Sequence, residues 1–501
     1  MIQPTSLPAP ERRARLWRWL RPGLSIKRWI FVYFVALTLL ALGLGLVLTH
    51  MYRTAPFPGP VYYVTLQFIP RLLRGVLFLA LGGGLMAWAT LRIISSFVGL
   101  LVPHYRGRLG DALYTQRVLS RGPKVVAIGG GTGLSSLLRG LKEYTSNITA
   151  VVTVCDDGGS SGRLRRDLRV LPPGDFRQCI AALADSDPLV TKLFEHRFQA
   201  ADRADGTGHS ELKGHAFGNL FIAAMAQITG SFERALEESS RVLAVRGRIL
   251  PSTLEDVVLC AELADSSTVQ GESLIPEKAS GGQASHDADG AVCADPDAAS
   301  TANPIKRVFL EPERPAVYPE VVRSLLDADL VVIGPGSLFT SILPNLLVDD
   351  LARALCWSRA KKVYVCNVAT QPGETDHYEV ADHVRVIYDH LRARLGVPIG
   401  RRDGMDVSMI PFTHVLVNDN LEPHVPAEWG VTRPSIDDAA LAELAVEAIH
   451  ADVVDSNRPT RHDPLKLAAT LIETLAATRT AQRPAPLAAL KAAKALATSL
   501  L

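Results

Sequence analysis

The sequence predicts an α/β domain with a mostly parallel sheet, preceded by a transmembrane hairpin of two helices. Three observations support this fold class. The β-branched run Val125 to Ile128 leads directly into a glycine turn and an apolar-periodic helix, as in a parallel βαβ unit. A later run, Leu330 to Ile333, also ends in a glycine-rich loop. Two long apolar runs stand near the start of the chain.

The N-terminal region predicts two membrane spans. Residues 1–28 are strongly basic, and residues 29–49 form an uncharged apolar run of bilayer-spanning length. A second apolar run, 76–102, carries a single charge at Arg92, which we expect to snorkel to the inner interface. Two buried helices of a soluble domain are the alternative interpretation. A cleaved signal peptide is disfavoured because a second apolar run follows the first.

The flanking charges predict the orientation of these spans. Arginine and lysine crowd the segment before the first span and follow the second, whereas the connecting loop carries fewer. Positive-inside logic therefore puts both termini and the main domain in the cytoplasm and the short loop outside, as in a multi-pass protein of the cell membrane. Residues 103–123 then form a linker to a domain at 124–478. The Ala/Leu-rich tail 479–501 is either an amphipathic helix or a frayed terminus.

The main domain opens with a candidate phosphate-binding turn. Its residues are Gly129, Gly130, Gly131, Thr132 and Gly133. Glycines let the backbone turn sharply and let a ligand approach without a Cβ in the way. The helix that follows would direct free N–H groups and its positive dipole end at the turn. Because Leu134 occupies the third glycine position of the dinucleotide fingerprint, a plain tight turn is the alternative interpretation.

Acidic and small polar residues follow the second predicted strand, 148–154. Asp156 and Asp157 stand where dinucleotide-binding folds place a carboxylate that accepts from ribose hydroxyls. The loop then continues with Gly158, Ser160 and Ser161. Two adjacent loops at strand ends that both avoid bulky side chains favour a ligand site, because a structural turn does not require this.

The middle of the chain contains further polar candidates. Asp175 is well placed as a helix N-cap, although it could also serve a ligand. His215 and Asn219 are four residues apart and share a helix face. They could hold a base edge, a sugar hydroxyl or a metal-bound water, or simply begin a helix. Residues 271–304 contain almost no large apolar side chains, so we expect a disordered, mobile insertion there.

Two later strands end in loops of the same kind as the first turn. Gly334, Gly336 and Ser337 follow one of them, and Asn367 and Thr370 follow the next. Amide and hydroxyl side chains can read a base or a sugar. Ligands of open α/β sheets bind outside the carboxyl ends of the strands, so we expect these loops to lie together.

Composition excludes several functional classes. The formal net charge of +2 gives no nucleic-acid signature. The six cysteines show neither CxxC pairs nor zinc-site spacing, which predicts reduced thiols in the core. The sequence shows no activated Ser-His-Asp arrangement and no cluster with metal-site spacing.

Seven motifs, taken together and in order, carry a family resemblance. They are GGGTG, VCDDGGSSG, PPGD, HAFGN, GRILPST, GPGSLFTSILPN and NVATQPGETD. The series resembles the YvcK family, also called gluconeogenesis factors, which are related to the CofD 2-phospho-L-lactate transferases. The resemblance covers roughly Lys124 to Ala476. It implies a CofD-like fold, a Rossmann-like three-layer sandwich.

The resemblance also implies a function. Proteins of this kind bind UDP-N-acetylglucosamine, support growth on gluconeogenic carbon and influence cell shape and wall synthesis. Carried onto this sequence, the first glycine turn and the Gly334 loop hold the diphosphate. Asn219, Asn367 and Thr370 contact the base or the sugar, and Arg461 is a late contact. The expected partners are the nucleotide sugar, cell-envelope synthesis or regulatory proteins and a second copy of the chain, with no nucleic acid. The membrane is expected from the two apolar runs and not from the resemblance, because most proteins of this family look wholly soluble.

The alternative function is a transferase like CofD, acting on a nucleotide-activated substrate. In that case Asp156 and Asp157 would hold a Mg²⁺ ion that bridges phosphates, since hard cations prefer oxygen ligands. The GGSSG and TQPGET segments resemble the YvcK side of the superfamily instead. We therefore expect binding rather than catalysis, with no catalytic residue and no required cofactor.

Overall fold

The computed structural model describes residues 118–199, 212–281, 303–399 and 409–482 apart from 423, 427 and 428, with short pieces between 34 and 90 and the pairs 285–286 and 292–293. The chain divides into two units, Met1–Leu109 and Gly110–Leu501. Among the described residues, no helix combines the length and the apolar character that a membrane span requires. The predicted hairpin is therefore not supported there, and much of 29–49 and 76–102 lies outside the described residues.

The strands of the described chain belong to one large sheet and three small ones. They are β1 Val125–Gly129, β2 Ile148–Val152, β3 Arg248–Pro251, β4 Val258–Leu263, β5 Thr268–Gln270, β6 Ser285–His286, β7 Val292–Cys293, β8 Ile305–Glu311, β9 Leu330–Ile333, β10 Lys361–Val365, β11 His414–Asn418, β12 Glu447–Ala451, β13 Val454–Asp455 and β14 Arg458–His462. The large sheet has the order β12-β11-β10-β9-β1-β2-β3. All its neighbouring strands are parallel, as predicted.

The helices of the second unit connect and cover these strands. They are α1 Gly131–Leu141, α2 Gly159–Leu168, α3 Gly174–Leu183, α4 Pro188–Glu195, α5 Phe217–Thr229, α6 Phe232–Val242, α7 Leu274–Ala279, α8 Pro319–Leu326, α9 Leu343–Leu346, α10 Asp349–Trp357, α11 Val380–Leu395, α12 Asp438–Glu443 and α13 Pro464–Gln482. A π-helical turn, Leu338–Ile342, precedes α9. Asp463 caps α13 as predicted and accepts from the backbone N–H groups of Leu465 and Lys466 at 2.8 and 2.9 Å.

The central strands consist of continuous apolar runs because both faces of the sheet are covered. Every residue of β1 and of β9 is buried. In a sheet with one face in solvent, apolar and polar residues alternate along each strand. Strands β1 and β9 show no such alternation. No disulfide joins the cysteines that the structure describes, of which Cys155, Cys179, Cys260 and Cys366 are buried and Cys356 is half-buried; their reduced state stays a prediction.

The strand order reverses direction between β1 and β9. From β1 the chain builds outward through β2 to β3, and from β9 it builds the other way through β10 and β11 to β12. Right-handed crossovers place the helices of the two halves on opposite faces, so a crevice opens between the carboxyl ends of β1 and β9. We call this place the switch point. The first strand of the second half, β9, therefore lies beside β1, which leads into the first glycine turn.

The segment predicted as a disordered insertion is ordered at its start. A small antiparallel sheet, β5-β4-β8, lies between β3 and β9 in the chain. Its strands β4 and β5 precede the predicted insertion and β8 follows it, whereas α7 lies within it and buries Ile275 and Ala279. The predicted start of the insertion at residue 271 is therefore too early, because two buried apolar residues are enough to anchor this six-residue helix. Residues 282–302 lie outside the described residues apart from β6 and β7.

Candidate functional site

The first glycine turn lies at the switch point. Gly129 ends β1, and Gly130 is the N-cap of α1. Gly131 has φ +60°, a left-handed conformation that favours glycine. A Cβ on Gly133 would lie 2.5 Å from the Pro335 carbonyl oxygen, so the turn packs directly on the loop that follows β9. Glycine is therefore required here for close backbone approach.

The β9 loop is fastened to this turn by a buried amide. Asn345 donates through Nδ2 to the carbonyl oxygens of Gly129 and Ser341 at 3.1 and 2.8 Å. Gly334 has φ +81°, which allows the loop to leave the strand sharply. A Cβ on Gly336 would lie 3.6 Å from the Gly130 carbonyl oxygen. The structure thus brings together the two loops that the sequence predicted to converge.

The next loop, after β10, is joined to the same place by Asn367. Its Oδ1 accepts from the Gly336 N–H at 3.4 Å, and its Nδ2 donates to the Gly336 carbonyl at 3.0 Å. Gln371 donates to the Ser337 hydroxyl at 2.9 Å. Thr370 pairs with Thr432, whose backbone N–H donates to the Thr370 hydroxyl at 2.9 Å. These predicted ligand contacts therefore hold loops to one another in the structure.

Asp175 differs from its predicted role as a helix cap. The N-cap of α3 is Pro173, and Asp175 lies in the first turn of that helix. Its carboxylate accepts from the Gly131 N–H. A Cβ on Gly130 would lie 2.5 Å from its Oδ2. Burial, reinforced by the nearby Asp156 carboxylate, raises the pKa of Asp175 to about 7.

Three more carboxylates surround Asp175. Asp156 accepts from the Gly158 N–H at 3.0 Å and from the Ser161 side chain, while burial raises its pKa. Burial and the other carboxylates raise the pKa of Glu272 well above its usual range, and its Oε2 is buried without a hydrogen-bond partner in the described chain. Burial likewise raises the pKa of Glu374 to about 7. We call Asp156, Asp175, Glu272 and Glu374 the acidic cluster.

These carboxylates bind backbone N–H groups that line the switch point. Glu374 accepts from the Phe339 N–H at 3.1 Å and the Thr340 hydroxyl at 3.0 Å. Asp157, beside the cluster, accepts from the Ser273 N–H at 2.9 Å. An anionic ligand would meet this negative charge, so its binding requires protonation of the cluster or a counter-cation. Within the described chain, no three His, Cys, Asp or Glu side chains are arranged to hold a metal ion.

A second polar network lies at the start of α2. Ser160 Oγ is 3.0 Å from His215 Nδ1 and 3.1 Å from Asn219 Nδ2. Arg163 Nε donates to His215 Nε2 at 3.0 Å, and Arg177 Nε donates to Asn219 Oδ1 at 3.0 Å. The predicted pair His215 and Asn219 thus acts together, and its shared target is a serine hydroxyl.

The remaining predicted residues lie around this centre. Thr132 is exposed on the first turn of α1. Arg461 is half-buried on β14, and its neighbour His462 lies with Nε2 3.2 Å from the Cys366 carbonyl oxygen at the end of β10. Arg461 is therefore near the β10 exit, one strand away from the switch point. A hollow of about 400 Å³ opens at the exits of β10 and β11. Asn367, Val368, Val380, Val417, Arg433 and Ile436 are among the residues that line it.

Sequence reasoning identified Asp156 and Asp175 but not Glu272 and Glu374, and it did not predict that Arg163 and Arg177 bind His215 and Asn219. Glu272 lies in a stretch of low apolar content, for which the sequence predicts an insertion. Glu374 lies in a motif whose amide and hydroxyl side chains are the predicted ligand contacts. The available signal was the PGE tripeptide at 372–374, a turn followed by a carboxylate. Nothing local connects Asp175 to Gly131, because that contact depends on the packing of α3 against α1.

Comparison with known proteins gives one consistent result. The family model of the 2-phospho-L-lactate transferase CofD matches residues 125–454. The gluconeogenesis factor of Bacillus subtilis is 43% identical over 358 residues, which is 70% of this chain and 98% of that protein. A Nostoc protein of the same group is 41% identical over 481 residues, which is 94% of this chain and 95% of that protein.

A solved structure extends the match to the fold. The crystal structure of a UPF0052 family member from Bacillus halodurans has a TM-score of 0.57 at 38% identity and covers 70% of this chain and 99% of that one. The region that the CofD model matches, residues 125–454, contains the parallel sheet, the switch point and the acidic cluster described above. The chain therefore belongs to the gluconeogenesis factors (YvcK, UPF0052) within the CofD family.

Proposed function

We propose that this protein binds UDP-N-acetylglucosamine, with the diphosphate in the crevice between the exits of β1 and β9. The single observation that carries the proposal is the direct packing of two glycine loops there, Gly133 against Pro335. Both loops follow buried parallel strands, and one of them opens the 11-residue helix α1. Switch points of open α/β sheets and helix N-termini both favour phosphate groups.

The surroundings of the crevice suit the rest of such a ligand. The hollow beside Asn367 has walls of valine and isoleucine together with the Arg433 side chain. A planar base or a sugar ring fits such a mixture of apolar surface and a few polar groups. Asn367 joins this hollow to the Gly336 loop, so one extended ligand can occupy both places.

The acidic cluster determines the conditions for binding. With a pKa of about 7, Asp175 is partly protonated near neutral pH. A protonated carboxyl donates a hydrogen bond to a phosphate oxygen, whereas an ionised one repels it. We therefore expect the nucleotide sugar to bind with proton uptake by Asp175 or Glu374, or together with a cation.

We also propose that the N-terminal region anchors the protein in the cell membrane, with the nucleotide-binding unit in the cytoplasm. The apolar runs at 29–49 and 76–102 support this. The Bacillus subtilis relative covers 70% of this chain, whereas the Nostoc relative covers 94% and must therefore include most of the segment before Lys124. An anchored sensor would stand beside the enzymes that make the cell wall, which links carbon metabolism to cell shape.

The second candidate function is a transferase reaction like that of CofD. The match to the CofD model and the acidic cluster favour it. Carboxylate oxygens are the ligands that Mg²⁺ prefers. The described residues nevertheless provide no set of three metal-binding side chains. They do not form a complete Mg²⁺ site, and we derive no step through a metal.

Calorimetry tests the binding proposal. UDP-N-acetylglucosamine, GDP and NAD would each be titrated into the purified full-length chain at pH 6.5, with and without Mg²⁺. We expect saturable binding of the UDP-sugar and much weaker heats from the other two nucleotides. Saturation by GDP alone would contradict the proposal and favour the transferase. Chromatography of the UDP-sugar after long incubation separates the two functions further, because a pure binder leaves it unchanged.

A further inference from the structure

The hydrogen bonds around Ser160 have only one consistent direction. Arginine is always protonated and only donates, so His215 Nε2, which accepts from Arg163 Nε at 3.0 Å, carries no hydrogen. In a neutral imidazole the hydrogen is then on Nδ1. That nitrogen is 3.0 Å from Ser160 Oγ, so His215 donates to the serine. Burial and the charge of Arg163 both lower the pKa of His215, which keeps the ring neutral.

The amide of Asn219 is oriented in the same way. Arg177 Nε donates to one side-chain atom of Asn219 at 3.0 Å, and that atom has to be the oxygen. The NH₂ group therefore faces Ser160 and donates to Oγ at 3.1 Å. Two arginines thus determine both the tautomer of His215 and the flip state of Asn219.

These two orientations determine where the hydrogen of the Ser160 hydroxyl can point. A hydroxyl oxygen accepts two hydrogen bonds and donates one. Ser160 Oγ already accepts twice, so its hydrogen has to point away from both partners. No residue of the described chain accepts this hydrogen, although Ser160 is only 4% exposed. A buried donor without an acceptor is unfavourable and is satisfied by a ligand or a water.

Helix N-termini and guanidinium groups lie close to this hydrogen. Ser160 is in the first turn of α2, and Asn219 is in the first turn of α5. The N-terminus of α3 is also adjacent, since a Cβ on Gly174 would lie 2.4 Å from Ser161 Oγ. The N-termini of α2 and α5 and the two guanidinium groups therefore lie around Ser160, and each stabilises an anion. The Asp156 carboxylate, which accepts from Ser161 at the N-terminus of α3, opposes them when it is ionised.

We infer that Ser160 donates a hydrogen bond to a phosphate oxygen of the bound nucleotide sugar, and that His215 and Asn219 are positioning residues that turn the serine hydrogen toward it. The inference rests on the proposed function and assigns the phosphate contact on the β2 side of the site. A phosphate oxygen suits this donor because it offers only lone pairs and carries charge. Arg163 and Arg177 act through the two positioning residues and need not touch the ligand.

The test is a double-mutant cycle on the full-length chain, read as the Kd for UDP-N-acetylglucosamine. Ser160→Ala removes the donor, and we expect binding to weaken about 10- to 100-fold, as for a hydrogen bond to a charged group. Ser160→Cys, a weak donor of similar size, should show a similar loss. Ser239→Ala, at a buried serine of α6 that is 0% exposed, is the matched control and should bind normally.

The isosteric change Asn219→Asp tests the direction of the hydrogen bonds. An aspartate accepts from both Arg177 and Ser160, so it turns the serine hydrogen inward. We expect it to weaken binding at least tenfold in the wild-type background and far less in the Ser160→Ala background. An equal loss in both backgrounds would indicate simple charge repulsion and overturn the inference. So would wild-type affinity in Ser160→Ala, provided that the wild type binds; if it does not bind, the proposed function itself has failed.

Discussion

At the scale of single residues, the site is defined by carboxylates that bind backbone N–H groups. Asp175 accepts from Gly131, Asp156 from Gly158 and Glu374 from Phe339. Helix N-termini and glycine loops are places where anions are stabilised, and here the chain supplies some of that negative charge itself. Burial raises the pKa of each of these three carboxyl groups, so the cluster responds to pH near neutrality.

We predict that Asp175 makes stability depend on pH. Its pKa is about 7 in the folded protein and near its usual value of 3.8 in the unfolded chain. The folded state therefore holds a proton that the unfolded chain releases, and the free energy of unfolding should fall as pH rises from about 4 to 7, by at most about 1.4 kcal/mol per pH unit. Asp175→Asn should flatten this slope. Urea denaturation at pH 5, 6, 7 and 8 measures it.

The control for this experiment is Asp350→Asn, at an exposed position in the first turn of α10. It should keep the wild-type slope. If Asp175→Asn also kept the wild-type slope, the buried carboxyl would not be the titrating group, and the argument from its burial would be wrong.

We predict that Gly131→Ala weakens nucleotide binding beyond its effect on stability. Gly131 has φ +60°, so any L-residue is strained there, by about 1–2 kcal/mol. Gly396, the C-cap of α11 with φ +67°, has no atom within 4 Å of its virtual Cβ and provides a matched control. Thermal melts should show similar losses for Gly131→Ala and Gly396→Ala. Only Gly131→Ala should weaken binding, because its methyl group enters the turn. Unchanged binding would make the turn purely structural.

The glycines of the first turn could be predicted from the sequence, whereas the acidic cluster could not. A glycine run between a β-branched strand and an apolar helix has a local cause, the need for a tight turn. The contact of Asp175 with Gly131 joins residues 44 positions apart and exists because α3 packs on α1. Glu272 comes from a third segment. Only the folded chain brings these charges together.

At the scale of elements, the site is built from the exits of neighbouring parallel strands. Asn345 joins the loop after β9 to the loop after β1, and Asn367 joins the loop after β10 to the loop after β9. The sequence predicted the parallel strands because continuous β-branched runs need cover on both faces. The sequence places the start of the mobile insertion too early, because composition describes the average of a whole segment. Two buried residues of that segment, Ile275 and Ala279, anchor α7. Asn367 and Thr370, which the sequence assigns to the ligand, also bind neighbouring loops in the structure, and their ligand contacts stay a prediction.

We predict that Asn367→Ala separates these loops and weakens nucleotide binding. Asn147 is a matched control at the opposite edge of the sheet, before β2, since its Nδ2 donates to the Ser120 and Gly122 carbonyls at 3.0 and 2.8 Å. Each substitution should lower the free energy of unfolding by about 1–3 kcal/mol, measured by urea denaturation. Only Asn367→Ala should raise the Kd of the UDP-sugar, because only Asn367 holds the Gly336 loop. Equal effects on binding would mean that loop order at the switch point is unimportant.

At the scale of the whole molecule, the chain joins a CofD-like unit that contains the switch point to an N-terminal region. The fold class and the convergence of loops could be predicted, because strand exits of a parallel sheet meet on one edge. The membrane hairpin stays a prediction of the sequence, and the relatives that match about 70% of this chain show that the CofD-like unit also occurs without a segment of that length.

We predict that the full-length chain sediments with membranes and stays there after a high-salt wash. The apolar runs at 29–49 and 76–102 would each be long enough to hold it in the bilayer. A chain that begins at Lys124 should stay in the supernatant and still bind the UDP-sugar, as it corresponds to the unit solved in the Bacillus halodurans relative. Recovery of the full-length chain in the soluble fraction would contradict the anchor.

Hydrogen–deuterium exchange with and without UDP-N-acetylglucosamine tests the central claim most directly, because it locates the ligand on the backbone. If the diphosphate lies at the switch point, saturating ligand should slow exchange in the segments 129–134, 156–162 and 334–341 together, and leave α6 unchanged as an internal control. Binding that protects only segments away from the exits of β1 and β9 would contradict the account.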